Sequence, residues 1–231
     1  MLKNCNKNIS ETNKLNFYEN KDLNFLLTDK LTIKELASII EFNNLLPELL
    51  NIVNTEKSSI KYTCCKITRY ISEKNPQILY PYYFIISSWL NNENNFIKWD
   101  AIYIISNLAS VDKDNNFSKI YDKYFNFINC GQMITAANVV ENSWKFVIAN
   151  PTLDADITFK LLNIPNFIYF NKNQISPECN KIVCGKVIES FDKYFNNSCY
   201  QDLMIDFVEK QLSSARKSIV KLAKKFLEKK E

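Results

Sequence analysis

The sequence contains no histidine, and only two of its 231 residues are glycine. Those two scarcities exclude more chemistry than anything present suggests. Dinucleotide fingerprints, phosphate loops and nucleophile elbows need several glycines, because backbone must approach a ligand closely or take positive φ. Without histidine there is no Ser-His-Asp or Cys-His catalysis, no two-histidine metalloprotease helix and no mixed Cys/His zinc site. Long apolar runs are missing as well. The longest, Ile78 to Leu90, is interrupted by Pro81 and two serines and falls short of the roughly 20 residues a membrane span needs. No cofactor or metal is expected.

Seven cysteines, at 5, 64, 65, 130, 179, 184 and 199, form an odd set without a C-x-x-C pair, and the first seventeen residues lack the apolar stretch of a secretory signal. The expectation is a cytoplasmic protein with reduced thiols. Cys179 and Cys184, five apart on one helix, point about 140° apart around its axis and do not converge on a metal; both read as small buried hydrophobes. Asparagine, lysine, isoleucine, phenylalanine and tyrosine are over-used, the pattern of AT-rich codons, so a single surface asparagine carries little functional weight. Hydrophobic residues make up 46% and charged residues 23%, with a net charge of +4. One globular domain with a real core fits that balance.

Residues 1–22 form a polar leader expected to be flexible, and 23–231 a single helical domain. Thr32 followed three residues later by Glu35 predicts a capping box opening a helix to about Phe42. Leu45 to Val53, Ile78 to Leu90, Phe117 to Ile128, Asp154 to Leu162 and Tyr200 to Leu212 are predicted helices. Between and after them an apolar stripe recurs: Ile60, Cys64, Ile67, Ile71; Ile97, Ala101, Ile104, Leu108; Met133, Ala137, Val140, Trp144; Asn180, Cys184, Val187, Phe191; and Ala215, Ile219, Leu222, Phe226. The +4, +7, +11 spacing is one helical face. The second position of the stripe steps by 37, 36, 47 and 35 residues, a period of helix pairs broken by one insertion at Ile164 to Ser176. Such pairs bury their apolar faces only by stacking, which predicts an all-α superhelix, a solenoid of about five pairs.

The second helices open with Ile60-Lys61-Tyr62-Thr63-Cys64, Ile97-Lys98-Trp99-Asp100-Ala101 and Ala215-Arg216-Lys217-Ser218-Ile219. This resembles the V-R-x-x-A opening of HEAT and armadillo repeats across roughly residues 30 to 228, with Lys181 in the same place before Cys184 and Ile134 as the departure. The chain also looks like the HEAT-like proteins of unassigned activity found in low-GC microbes. The resemblance implies architecture rather than activity.

Several features could carry function. Lys61, Lys98, Lys181 and Arg216 form a cation ladder whose structural reading is a bond from each to a neighbouring repeat, and whose functional reading is a row of phosphate or carboxylate donors. Residues 210 to 231 carry a net +6 and the remainder a net −2, the charge of the last helix facing away from its apolar residues. Of the three tryptophans, Trp144 lies in a core stripe. Trp99, with Lys98, Asp100, Tyr103 and Asn107, forms a candidate pocket, and Asn138, Asn142 and Lys145 form a polar stripe on the next second helix. The favoured function is a non-catalytic scaffold binding a protein or peptide on the concave face. The alternative follows from a weaker resemblance to HEAT-like alkylpurine DNA glycosylases, under which Trp99 would be a stacking platform and Asp100 an electrostatic stabiliser of a departing base. Only two arginines and the uneven charge weigh against nucleic acid.

Overall fold

A computed structural model describes Leu15, Tyr18, Glu19 and residues 21–230. Most of the 1–22 leader therefore lies outside the described residues, as does Cys5. The chain divides into two compact units, with the boundary between Ile104 and Ile105.

The first unit holds α1 (Leu23–Thr28), α2 (Ile33–Phe42), α3 (Leu46–Thr55), α4 (Ile60–Lys74), α5 (Pro76–Leu79), α6 (Tyr83–Ser88) and most of α7 (Asn95–Leu108). The expected capping box is present. Thr32 Oγ1 accepts from the Glu35 amide at 3.3 Å while Glu35 Oε2 accepts from the Thr32 amide at 2.9 Å, satisfying two donors that a helix start leaves without internal partners. Proline in the first turn of α3 costs nothing, since its missing N–H would have no partner there. The predicted helix over Ile78–Leu90 is instead broken into α5, a 3-10 turn at Tyr80–Tyr82, α6 and a second 3-10 turn at Trp89–Asn91. Pro81 is the cause: it donates no hydrogen bond and its ring clashes with the preceding turn. Leu49, Cys64, Ile67, Ile71, Ile97 and Ala101 are fully or almost fully buried, so the first two stripes do face the core. Trp89 joins them, its Nε1 donating to Asn54 Oδ1 at 2.7 Å. Tyr18 is buried and its hydroxyl donates to Asp29 Oδ2 at 2.7 Å.

The second unit holds the end of α7, then α8 (Tyr121–Asn126), α9 (Met133–Ala149), α10 (Asp154–Leu162), α11 (Pro177–Tyr194), α12 (Gln201–Lys210) and α13 (Lys217–Leu227). The helix expected over Phe117–Ile128 is confined to α8 between 3-10 turns at Asn116–Lys119 and Phe127–Asn129. Asp112 accepts from the amides of Asn116 and Phe117 at 2.8 Å each and holds the chain in the tighter turn. Phe117 stacks on Phe146 with centroids 3.8 Å apart. The helix expected to reach Leu212 ends at Lys210 and continues as a 3-10 turn over Gln211–Ser213. The last stripe shifts too: Ala215 precedes α13 and is exposed, and Ile219, Ala223 and Phe226 are the buried residues.

The insertion is more ordered than a plain connection. After a 3-10 turn at Ile164–Asn166 it forms a hairpin, β1 (Phe170–Asn171) against β2 (Gln174–Ile175). Lys172 and Asn173 between them both take positive φ, the backbone of a two-residue turn that matches strand twist. The hairpin folds back on the turn before α9: the Phe170 amide donates to the Gly131 carbonyl at 2.9 Å, and the buried Tyr169 hydroxyl donates to the Ile128 carbonyl at 2.7 Å. This two-stranded ribbon is the one sheet among the described residues. Asn180, placed in a core stripe by spacing, is half-buried and closes the insertion by donating to the Ile164 and Phe167 carbonyls at 2.9 and 2.8 Å.

Repetition of helix pairs with buried second-helix stripes makes this an all-α solenoid, as the periodicity predicts. No described helix is long and apolar enough to cross a membrane. Among the described residues no cluster of cysteines and carboxylates could hold a metal. All six described cysteines are free. Cys64, Cys65, Cys179 and Cys184 are buried, whereas Cys130 and Cys199 are exposed. Burial pushes the Cys64 thiol up to about 12 and Cys184 to about 11, so these thiols are inert packing groups.

Candidate second-helix site

The residues expected to form one pocket sit on α7, and their described contacts fall in two groups. In the first unit, Arg69 of α4 reaches Asp100 with Nη1 3.7 Å from Oδ1, and its guanidinium carbon lies 3.5 Å from the centroid of the Tyr103 ring. Asp100 is mostly buried, its side chain 18% exposed. Burial raises its carboxyl above the usual range, and Arg69 and then Lys66 pull the other way. A carboxylate sandwiched in this way is a packed ion pair.

Trp99, half-buried, makes an edge contact with Phe96 at 5.3 Å between centroids, and Phe96 makes another with Tyr62 at 6.0 Å. Phe96 is 62% exposed, so the three rings form an open aromatic strip. Asn94 fixes its geometry: Nδ2 donates to the Tyr62 hydroxyl at 2.7 Å while Oδ1 accepts from the Phe96 amide at 3.0 Å, anchoring the start of α7 to α4. Lys61 lies 5.4 Å from the Tyr62 centroid, and Lys98 is half-buried one residue before Trp99. Tyr62 and Phe96 were missed from spacing alone. The signal was present, because aligning the two openings puts Tyr62 and Trp99 at the same repeat position.

In the second unit, Lys145 of α9 donates from Nζ to Asn107 Oδ1 at 2.5 Å, Asn142 Oδ1 at 2.7 Å and Ser106 Oγ at 3.2 Å. Asn142 in turn donates to the Asn138 carbonyl at 2.8 Å. Asn107 is therefore joined to the polar stripe of α9. Asn142, expected to face outward, is only 2% exposed: its amide satisfies buried groups and is not presented to a ligand. Trp144 corrects the stripe in the opposite sense, being half-buried, with the Lys145 ammonium 5.9 Å from its ring. The groups at the core are Ala136, Val139, Val140, Phe146 and Val147.

The cation ladder exists with different members. Arg216 does reach the preceding second helix, Nη1 lying 2.5 Å from Glu178 Oε1. Lys181 pairs with the same Glu178 within α11, and Lys61 lies over the adjacent Tyr62. The other second-helix ties are Arg69 to Asp100, Lys186 to Glu141 at 3.3 Å and Lys229 to Asp192 at 2.7 Å. Of the four ladder cations, Arg216 is the one shown bonded to a carboxylate of a neighbouring repeat.

An open groove of about 590 Å³ also lies between α8 and α10, floored by Phe125, Ile128, Phe159 and Phe167. Its rim carboxylate Asp156 bonds the Tyr121 hydroxyl and pairs with Lys160 at 3.3 Å.

With this geometry in view, comparison places the fold. No family model matches the sequence, and no curated protein matches it. Among solved structures it is similar to a designed armadillo repeat protein in complex with the peptide (KR)4, with a TM-score of 0.54 and 13% identity over 94% of this chain and 91% of that one. The chain has a HEAT/armadillo-like helical-repeat fold.

Proposed function

We propose that the chain is a cytoplasmic, non-catalytic scaffold that binds a peptide or extended protein segment on its second-helix face. Its contacts would be the strip of Tyr62, Phe96 and Trp99, bordered by Lys98, Asp100 and Tyr103. The observation that carries this reading is the exposure of Phe96 between two aromatic residues at equivalent repeat positions. Rigid aromatic side chains held open on a stiff frame are the usual anchors of protein recognition. The solved neighbour with a bound peptide is consistent with the same use of the fold. Within the second unit, Lys145 and Asn142 tie Asn107 and Asn138 into one hydrogen-bonded polar group.

The glycosylase alternative needs Asp100 available to a sugar carrying developing positive charge. Arg69 and Tyr103 occupy its surroundings, which favours the scaffold. Selection of peptides from a random display library tests the reading. Binders should lose at least about tenfold in affinity, roughly 1.4 kcal/mol, on Phe96→Ala or Trp99→Ala. Absence of enrichment, binders indifferent to both changes, or Asp100-dependent release of an alkylated base would overturn it.

A further inference from the structure

The four outward lysines of α13 have no role in the aromatic strip. Lys217, Lys221, Lys224 and Lys225 are all exposed, and among the described residues none of them forms an ion pair. Their neighbours behave differently. Arg216 is held by Glu178, while Lys229 and Lys230 both reach Asp192. The spacing of +4, +7 and +8 sets the four on one face over about 12 Å of helix. The opposite face, Ile219, Ala223 and Phe226, is buried, so α13 has no apolar side left to insert into a bilayer.

We propose that this face is a docking surface for a short acidic peptide segment of a partner protein. Charge complementarity defines the ligand class, and the surroundings limit its extent. The preceding helix α12 exposes Asp202, Asp206 and Glu209, three carboxylates at helical spacing, and residues before 210 carry a net −2. A long nucleic acid or a flat anionic membrane extending past α13 meets that opposing charge. A peptide whose carboxylates repeat every helical turn fits within the lysine row. The surface is separate from the aromatic strip and does not depend on its function.

Fluorescence anisotropy of a labelled polyglutamate peptide with the full chain tests the proposal. Binding is expected at low ionic strength and should fall steeply with added salt, since the contacts are exposed charges. The triple substitution Lys217→Gln, Lys221→Gln and Lys225→Gln should weaken it at least about tenfold. A control with the same charge change on exposed residues elsewhere, Lys34→Gln, Lys57→Gln and Lys172→Gln, should change it less than about threefold. All six side chains are exposed, so both variants should retain wild-type helicity. Equal loss in the two variants overturns the proposal. So does tighter binding of a charge-matched single-stranded oligonucleotide or of phosphatidylserine vesicles, or self-association through α12 that the α13 triple abolishes.

Discussion

Arg69 lies over Tyr103, its guanidinium carbon 3.5 Å from the ring centroid, and from there reaches the mostly buried Asp100. The arrangement carries a pH consequence. Burial raises the Asp100 carboxyl above its ordinary value despite Arg69, so the folded protein holds a proton there at pH values where the unfolded chain has released it. Stability from this group is present below the ordinary carboxylate range and is lost as pH rises through the raised value. Asp100→Asn should therefore leave the melting temperature at neutral pH unchanged or higher, with the difference vanishing in acid. A clear fall at neutral pH would mean that the Arg69 pair outweighs desolvation.

Lys145 should behave oppositely. Its three bonds serve Asn107 and the buried Asn142 and Ser106. Lys145→Met keeps the stem but removes the charged donor that these three acceptors share, at a cost of about 1–3 kcal/mol. Chemical denaturation reads this directly.

The tryptophans separate packing from surface. Trp89 is 1% exposed and hydrogen-bonded to Asn54, whereas Trp99 is half-buried beside the exposed Phe96. Trp89→Phe should destabilise by about 1–3 kcal/mol through lost packing volume in the core. Trp99→Phe should stay within about 0.5 kcal/mol. Equal losses would place Trp99 in the core and remove it from the proposed site.

Gly131 has φ of +76°, and a Cβ there would approach the Phe170 ring at 3.1 Å. Gly131→Ala should cost about 1–2 kcal/mol for the left-handed backbone alone. Phe170 should also become more accessible as the hairpin is pushed from the turn, which fluorine NMR of a labelled Phe170 would detect.

The fold was legible because helix pairs write a period into the chain, and the buried Cys64, Ala101, Ala137, Cys184 and Ile219 keep it. Local signals were reliable where one side chain decides: Thr32 and Glu35 cap α2 as their spacing requires. Pattern failed where turn geometry overrides it. The apolar spacing across Ile78–Leu90 is helical, yet Pro81 breaks the helix; of the stripe residues, Ala215 is lost because α13 starts after it, and Trp144 because it lies at the margin of the buried face of α9. The candidate site was half visible. Trp99, Asp100 and Tyr103 stood out by type, and Phe96 is their own-helix neighbour three residues before Trp99, but Arg69 and Tyr62 come near them only through packing of α4 against α7, which no spacing within one helix reveals.

The central claim is that a partner binds on the second-helix face. Hydrogen–deuterium exchange with a display-selected peptide tests it most directly. Added protection is predicted at the start of α4 and over the first two turns of α7, around Tyr62, Phe96 and Trp99. Protection confined to the first helices of the pairs, such as α3 and α6, with α4 and α7 unchanged, would contradict the account.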